Sequence, residues 1–173
     1  MRQVRYSVAM SLDGYIAGPN GEYDWIIIDP EIDFQALYAR YDAILVGRKS
    51  LMPMLESGEE EEIMPGMKTY VFSTTLEPQD YPHFTVVSEN VKVFVEALKR
   101  DQGKDIWLFG GGELFRSLNK LGLVDGVDVA IIPILLGEGI PFLPSTENPT
   151  TLELSANRVY SSGTVSLEYN TRK

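Results

Sequence analysis

Cysteine is missing from the 173 residues of this chain, and histidine occurs once, as His83. The first absence excludes disulfide frameworks, thiolate zinc sites, iron–sulfur clusters and thiol nucleophiles. The second leaves any Ser/His/Asp hydrolase or multi-histidine metal centre resting on one side chain in a loop beside Pro82. Cations are scarce as well: 15 Lys and Arg face 25 Asp and Glu, a formal charge of −10. Such a field repels nucleic acid and anionic membrane surfaces, so any anion must be bound locally. No uninterrupted apolar run approaches the roughly 18 residues of a membrane span, and Met1-Arg2-Gln3 leads straight into a strand-like segment rather than a signal peptide. A cytoplasmic protein with a small-molecule ligand, no metal, and neither nucleic-acid nor membrane partner is the expectation.

What is present is 44% hydrophobic residues at a length that suits one domain spanning 1–173. A chain of this length buries roughly 70% of its unfolded surface and needs no covalent staple. Val4 to Ala17 alternates loosely and reads as a strand running into a loop at Asp13-Gly14. Asp29-Pro30 reads as an N-cap with proline at the first helical position, followed by Ile32, Phe34, Leu37, Tyr38 and Tyr41 at helical spacing. Ala43-Ile44-Leu45-Val46 and Ile106-Trp107-Leu108-Phe109 are short apolar runs, as expected of strands covered on both faces, and each breaks into glycine before a helical pattern. Tyr70 to Phe72, Phe84 to Val87 and Val127 to Leu136 add strands, and Val91 to Arg100 adds a helix. Leu152 to Tyr169 reads as an antiparallel pair turning at Ser161-Ser162-Gly163. Between Leu51 and Lys68 the pattern dissolves, and the acidic run Glu59 to Glu62 reads as solvated loop. Strands alternating with helices predict an α/β fold, three-layer α/β/α, with a mostly parallel mixed sheet and a C-terminal antiparallel hairpin.

In such sheets ligands bind beyond the carboxyl ends of the strands, where both Gly47 and Gly110 stand. Gly110-Gly111-Gly112 at a helix start lets bare backbone approach a pyrophosphate and donate N–H groups to it; a tight turn without a ligand is the alternative. The usual Rossmann form fails, because G-x-G-x-x-G needs a small residue at Phe115 and no acidic ribose ligand follows near Ile132. Gly47-Arg48-Lys49-Ser50 brings two cations and a hydroxyl to a second helix start, a set suited to a phosphate monoester or simply to a solvated helix end. Ser73-Thr74-Thr75 suits a ribose or phosphate, or caps a turn. Tyr15, Tyr23 and Trp25 suit a flat ring, or pack against the first helix.

Taken in order, Val8-Ala9-Met10-Ser11-Leu12-Asp13-Gly14-Tyr15-Ile16-Ala17, Val46-Gly47-Arg48-Lys49-Ser50, Phe72-Ser73-Thr74-Thr75-Leu76 and Phe109-Gly110-Gly111-Gly112-Glu113-Leu114 resemble the dihydrofolate reductase superfamily. Within it they are most similar to the branch holding the reductase domain of the bifunctional riboflavin-biosynthesis deaminase/reductase and its stand-alone relatives. The resemblance implies NADPH as cofactor, with NADH as an alternative. Ala9 and Ile16 would flank the nicotinamide. Gly47, Arg48, Lys49 and Ser50 would hold the adenosine phosphate and pyrophosphate, Ser73 and Thr74 would reach the adenine ribose, and Gly110, Gly111, Gly112, Glu113 and Leu114 would wrap the pyrophosphate. It also implies hydride transfer to a C=N or C=O group of a small heterocyclic substrate and a homodimer. Tyr15 and Trp25 are the candidate substrate contacts, and Asp13, Asp29 and Asp33, with Glu31, are the candidate catalytic carboxylates. Three departures stand out: Thr74 and Ser7 replace an arginine and a lysine of the family, and 51–58 lacks an Asp-Asp-Pro segment. They leave the substrate unassigned and keep open a second reading, a nucleotide-binding or regulatory module that retains the cofactor cleft without turnover.

Overall fold

Runs of β-branched and aromatic residues become strands wherever two flanking layers can bury them. The computed structural model, which describes residues 1–56, 64–145 and 149–172, carries this out along the chain. Strand β1 (Val4–Ser11) is followed by β2 (Tyr15–Ala17), helix α1 (Phe34–Tyr38), β3 (Tyr41–Gly47), α2 (Arg48–Glu56), β4 (Lys68–Phe72) and β5 (Thr85–Val87). Then come α3 (Val91–Arg100), β6 (Asp105–Gly110), α4 (Gly112–Lys120), β7 (Gly126–Ile132), β8 (Ile140–Pro141), β9 (Leu152–Val159) and β10 (Val165–Thr171). One 8-stranded sheet runs in the order β5-β4-β3-β6-β1-β7-β10-β9, while β2 and β8 pair separately. β5 through β7 are parallel to one another, and β10 and β9 add antiparallel strands at one edge. This is the expected mixed sheet with its C-terminal hairpin. Among the described residues no helix is long and apolar enough to cross a membrane.

The two faces of the sheet carry different cores. On one, Tyr6, Leu45 and Leu108 pack with Val95 of α3 and Phe115 and Leu118 of α4; the Tyr6 and Phe115 rings stack at 4.3 Å. On the other, Ile44, Val46 and Trp107 pack with Leu51 of α2, and Tyr38 of α1 stacks on Trp107. These layers fix where α2 and α4 begin, and hence the geometry at the carboxyl edge.

Four local expectations are corrected. The first helix does not start at Asp29-Pro30: α1 begins at Phe34 with Asp33 as its N-cap, and Tyr41 already belongs to β3. The Asp29 carboxylate instead accepts from the Glu31 N–H and reaches across the chain to Ser162, so its capping chemistry is used in a loop. The irregular reading after Leu51 is overturned by α2, which runs to Glu56 through Pro53. One missing helical bond is offset there by complete burial of Leu51 and by Met52, Met54 and Leu55 packing on the core. β7 stops at Ile132, before Pro133, rather than at Leu136. The segment from Val4 to Ala17 divides between two sheets at the turn Leu12-Asp13-Gly14. Glu59 to Glu62 lie outside the described residues.

Candidate functional site

β3 and β6 are far apart in sequence but adjacent in the sheet, with Val46 opposite Gly110. Their carboxyl ends therefore launch α2 and α4 side by side. A Cβ on Gly47 would lie 3.7 Å from the Gly110 carbonyl oxygen and 3.9 Å from the Gly111 nitrogen. Ser50 Oγ stands 3.0 Å from where a Gly111 Cβ would be, so the two glycine turns and the serine form one surface. Gly110 has φ +139, a conformation that L side chains rarely adopt, and the Gly110–Gly111 peptide is cis. Gly111 caps α4 without a side-chain hydrogen bond. The first-turn N–H groups of a helix have no intrahelical acceptors, so a bare helix start is left facing the cleft. Gly112 closes the back of this cradle: its Cβ would sit 2.8 Å from Pro144 Cδ and 3.1 Å from the Phe142 carbonyl oxygen.

The side chains around this cradle fall into place one by one. Arg48 and Lys49 are exposed and have no ion-pair partner among the described residues, unlike Arg5, Arg40 and Arg116. β4 ends beside Gly47, which brings Ser73 and Thr74 to the same edge. The Ser73 hydroxyl accepts from the Thr75 and Leu76 N–H groups at 3.1 and 3.2 Å, so it caps a turn, while Thr74 is exposed. Glu113 pairs with Arg116 along α4, and Leu114 lies 3.8 Å from the position of a Gly47 Cβ. Ala9, half-buried on β1, pairs with Ala130 of β7, and Ile16 is half-buried on β2. An exposed cation pair, a glycine cradle and two helix starts thus converge on one edge, whereas a shallow depression lined by Asn119, Thr150 and Arg172 lies at the opposite end of α4.

The candidate carboxylates hold loops. Asp13 accepts from Ser11 Oγ at 2.6 Å and from the N–H groups of Leu136 and Gly137, tying the turn after β1 to the loop after β7. These bonds, the Ser11 bond foremost, hold its pKa below the ordinary value. Asp29 is 1% exposed and accepts from Glu31 N, Ser162 N and Ser161 Oγ, which clamps the segment before α1 onto the β9–β10 turn; the Ser162 bond leads the lowering of its pKa. Asp33 caps α1 through the Ala36 N–H. Trp25 donates Nε1–H to the Glu22 carbonyl, and Tyr15 donates its hydroxyl hydrogen toward the Gly137 carbonyl at 3.4 Å.

One charged constellation escaped sequence reasoning. On the α1 side of the sheet, Arg5 donates from Nε and Nη2 to both Asp128 oxygens, at 2.9 and 2.5 Å. Arg40, directly after α1, forks onto Glu168 at 3.2 and 3.3 Å and lies 3.6 Å from Asp128. Tyr41 donates to Asp128 at 3.4 Å, and burial pushes its hydroxyl up to about 12. The network stitches β1, β7 and β10 to the α1–β3 junction. Its sequence signal is a charge in the middle of an apolar strand, at Arg5 and again at Asp128; buried charges demand partners.

Comparison with known proteins gives a consistent picture. Residues 2–166 match the model of the RibD C-terminal domain family. The uncharacterized Bacillus subtilis protein YyaP is 36% identical, the alignment covering 98% of this chain and 95% of that protein. A Shewanella sp. PV-4 structure provisionally ascribed to riboflavin biosynthesis superposes with a TM-score of 0.80 at 26% identity, covering 100% of both chains. Enterococcus faecalis dihydrofolate reductase, solved with NADP(H) and an inhibitor, superposes with a TM-score of 0.71 at 17% identity over 99% of this chain and 97% of that one, a likeness of fold.

Proposed function

We propose, from the fact that this chain belongs to the RibD C-terminal domain family, that it is an NADPH-dependent reductase acting on a C=N or C=O group of a small heterocycle. Family membership supports a reductase-like function of the riboflavin-pathway kind, and the fold shared with an NADP(H)-bound dihydrofolate reductase supports the nicotinamide cofactor. The observation that carries the reading is the meeting of Gly47, Ser50, Gly110 and Gly111 on one surface at two helix starts. A chain of charge −10 has little reason to leave Arg48 and Lys49 exposed and unpaired there unless an anion is to be met.

The residues fit such a cofactor. The glycine surface admits a pyrophosphate to backbone N–H donors, and side chains larger than glycine at Gly111 would press on Ser50. Arg48 and Lys49 hold the 2′-phosphate, Ser50 donates a hydroxyl, Thr74 reaches the ribose, and Ser73 shapes the turn that presents it. Ala9 and Ile16 flank the nicotinamide and exclude water. When bound, the cofactor supplies a hydride; the protein supplies orientation and a dry, polar environment. Asp13, Asp29 and Asp33 act as positioning residues that fix the loops around the cleft.

The test is NADPH oxidation against a panel of pterins, flavin precursors, cyclic imines and carbonyls. Turnover of at least one heterocycle is expected. Cofactor binding without turnover on any member would identify the non-catalytic module instead, the outcome that Ser7 and the missing Asp-Asp-Pro segment would then explain.

A further inference from the structure

Alternation along the C-terminal hairpin sorts its side chains into two unlike faces. On the face away from α1, three cross-strand pairs stand in a row: Leu154 with Tyr169, Asn157 with Leu167, and Val159 with Val165. None of the six is charged, and β9 is exposed along its whole length, Leu154 at 49% and Val159 at 69%. The charges of the hairpin go elsewhere: Glu168 to Arg40, Arg158 to Glu31, Glu153 to Arg172. A charge-free, largely apolar sheet face in a chain with 25 acidic residues has the composition of an interface core rather than of solvent-facing surface.

From this we infer that the face is the contact between two copies of this chain, packed sheet on sheet about a two-fold axis. Two acidic chains repel each other wherever their charges meet, and this face is where none do. Its one amide, Asn157, sits mid-strand, exposed and without a hydrogen-bond partner among the described residues. A primary amide is both donor and acceptor, so two copies related by a two-fold satisfy each other's Asn157 across the axis, as an isologous contact requires. The register shift between Glu168 and Tyr169 interrupts the hairpin ladder, which favours face-to-face packing over edge pairing. The inference does not depend on the cofactor reading. Its consequence for the site is that the hairpin clamped to Asp29 and Arg40 is held from both sides.

Sedimentation velocity at micromolar concentrations tests it on the full chain. Wild type is expected at the mass of two chains. Asn157→Asp, nearly isosteric on an exposed strand, sets two carboxylates against each other and is expected to weaken the dimer by roughly a hundredfold or more at pH 8, with recovery near pH 4. Val159→Glu is expected to give monomer with unchanged circular dichroism, and Val93→Glu, on exposed α3, to leave the dimer intact. A monomeric wild type overturns the inference, as do Asn157→Asp and Val159→Glu variants that both dimerise like wild type.

Discussion

Replacing Asp128 with alanine strands a cation inside the protein. Asp128 is 6% exposed and Arg5 4%, and the carboxylate receives two of the five hydrogen bonds that Arg5 makes. Arg5 keeps Gln3, Asn170 and the Tyr169 carbonyl, none of which carries charge. The guanidinium cannot escape by losing its proton, because bonding to Asp128 already holds its pKa above the ordinary arginine value and arginine stays protonated in proteins. Removing one partner of a buried pair costs about 3–5 kcal/mol, a third or more of the roughly 5–15 kcal/mol that holds a typical domain together. Arg40 adds little to the loss, since it keeps Glu168. Scanning calorimetry of Asp128→Ala should show a melting temperature lower by about 6–20 °C for a chain of this size, and the urea midpoint should fall by about 2 M. Asp128→Asn, which keeps an acceptor oxygen, should lose roughly half as much. Arg5→Met combined with Asp128→Leu removes both charges and should recover most of the stability. A loss under about 1 kcal/mol for Asp128→Ala, or a double variant less stable than it, would refute the reasoning.

Gly112→Ala should cost about 1–3 kcal/mol in chemical denaturation and displace the 141–144 segment, because neither the Pro144 ring nor the Phe142 carbonyl can yield easily to a Cβ at 2.8 and 3.1 Å. Stability should be full near neutrality and fall in acid: the Asp13 and Asp29 pKa values are lower folded than unfolded, so their contributions are present above the usual carboxylate pKa of about 4 and vanish as the pH drops through the folded values. Urea midpoints measured from pH 6 down to pH 2 should therefore decline less steeply for Asp29→Asn than for wild type; parallel curves would deny Asp29 its clamping role.

How much of this was legible beforehand depends on whether the partners are local. β3 and β6 announce themselves as apolar runs ending in glycine, and the rule that ligands gather at carboxyl strand ends picks out Gly47 and Gly110. That these two ends touch follows only from the strand order, which places β6 beside β3 although two strands and a helix intervene in the chain. Asp29 misled for the same reason: its cap-like sequence is answered by Ser162, 133 residues away. Pro53 argued against a helix, and burial of Leu51 outweighed it. Arg5 and Asp128 each sit mid-strand in plain view, but their pairing is a matter of register between β1 and β7. The turn-capping role of Ser73, by contrast, was one of two chemistries its motif offered from the start.

The most direct measurement is a calorimetric titration of NADPH and of NADH into wild type and into Arg48→Ala. Wild type should bind NADPH more tightly than NADH, and loss of a charge-assisted contact to the 2′-phosphate should weaken NADPH by roughly 10–100-fold while leaving NADH nearly unchanged. Equal loss for both cofactors would remove Arg48 from the 2′-phosphate. Failure of wild type to bind either nucleotide would contradict the central claim, that the paired helix starts at Gly47 and Gly110–Gly112 form a nicotinamide-nucleotide site.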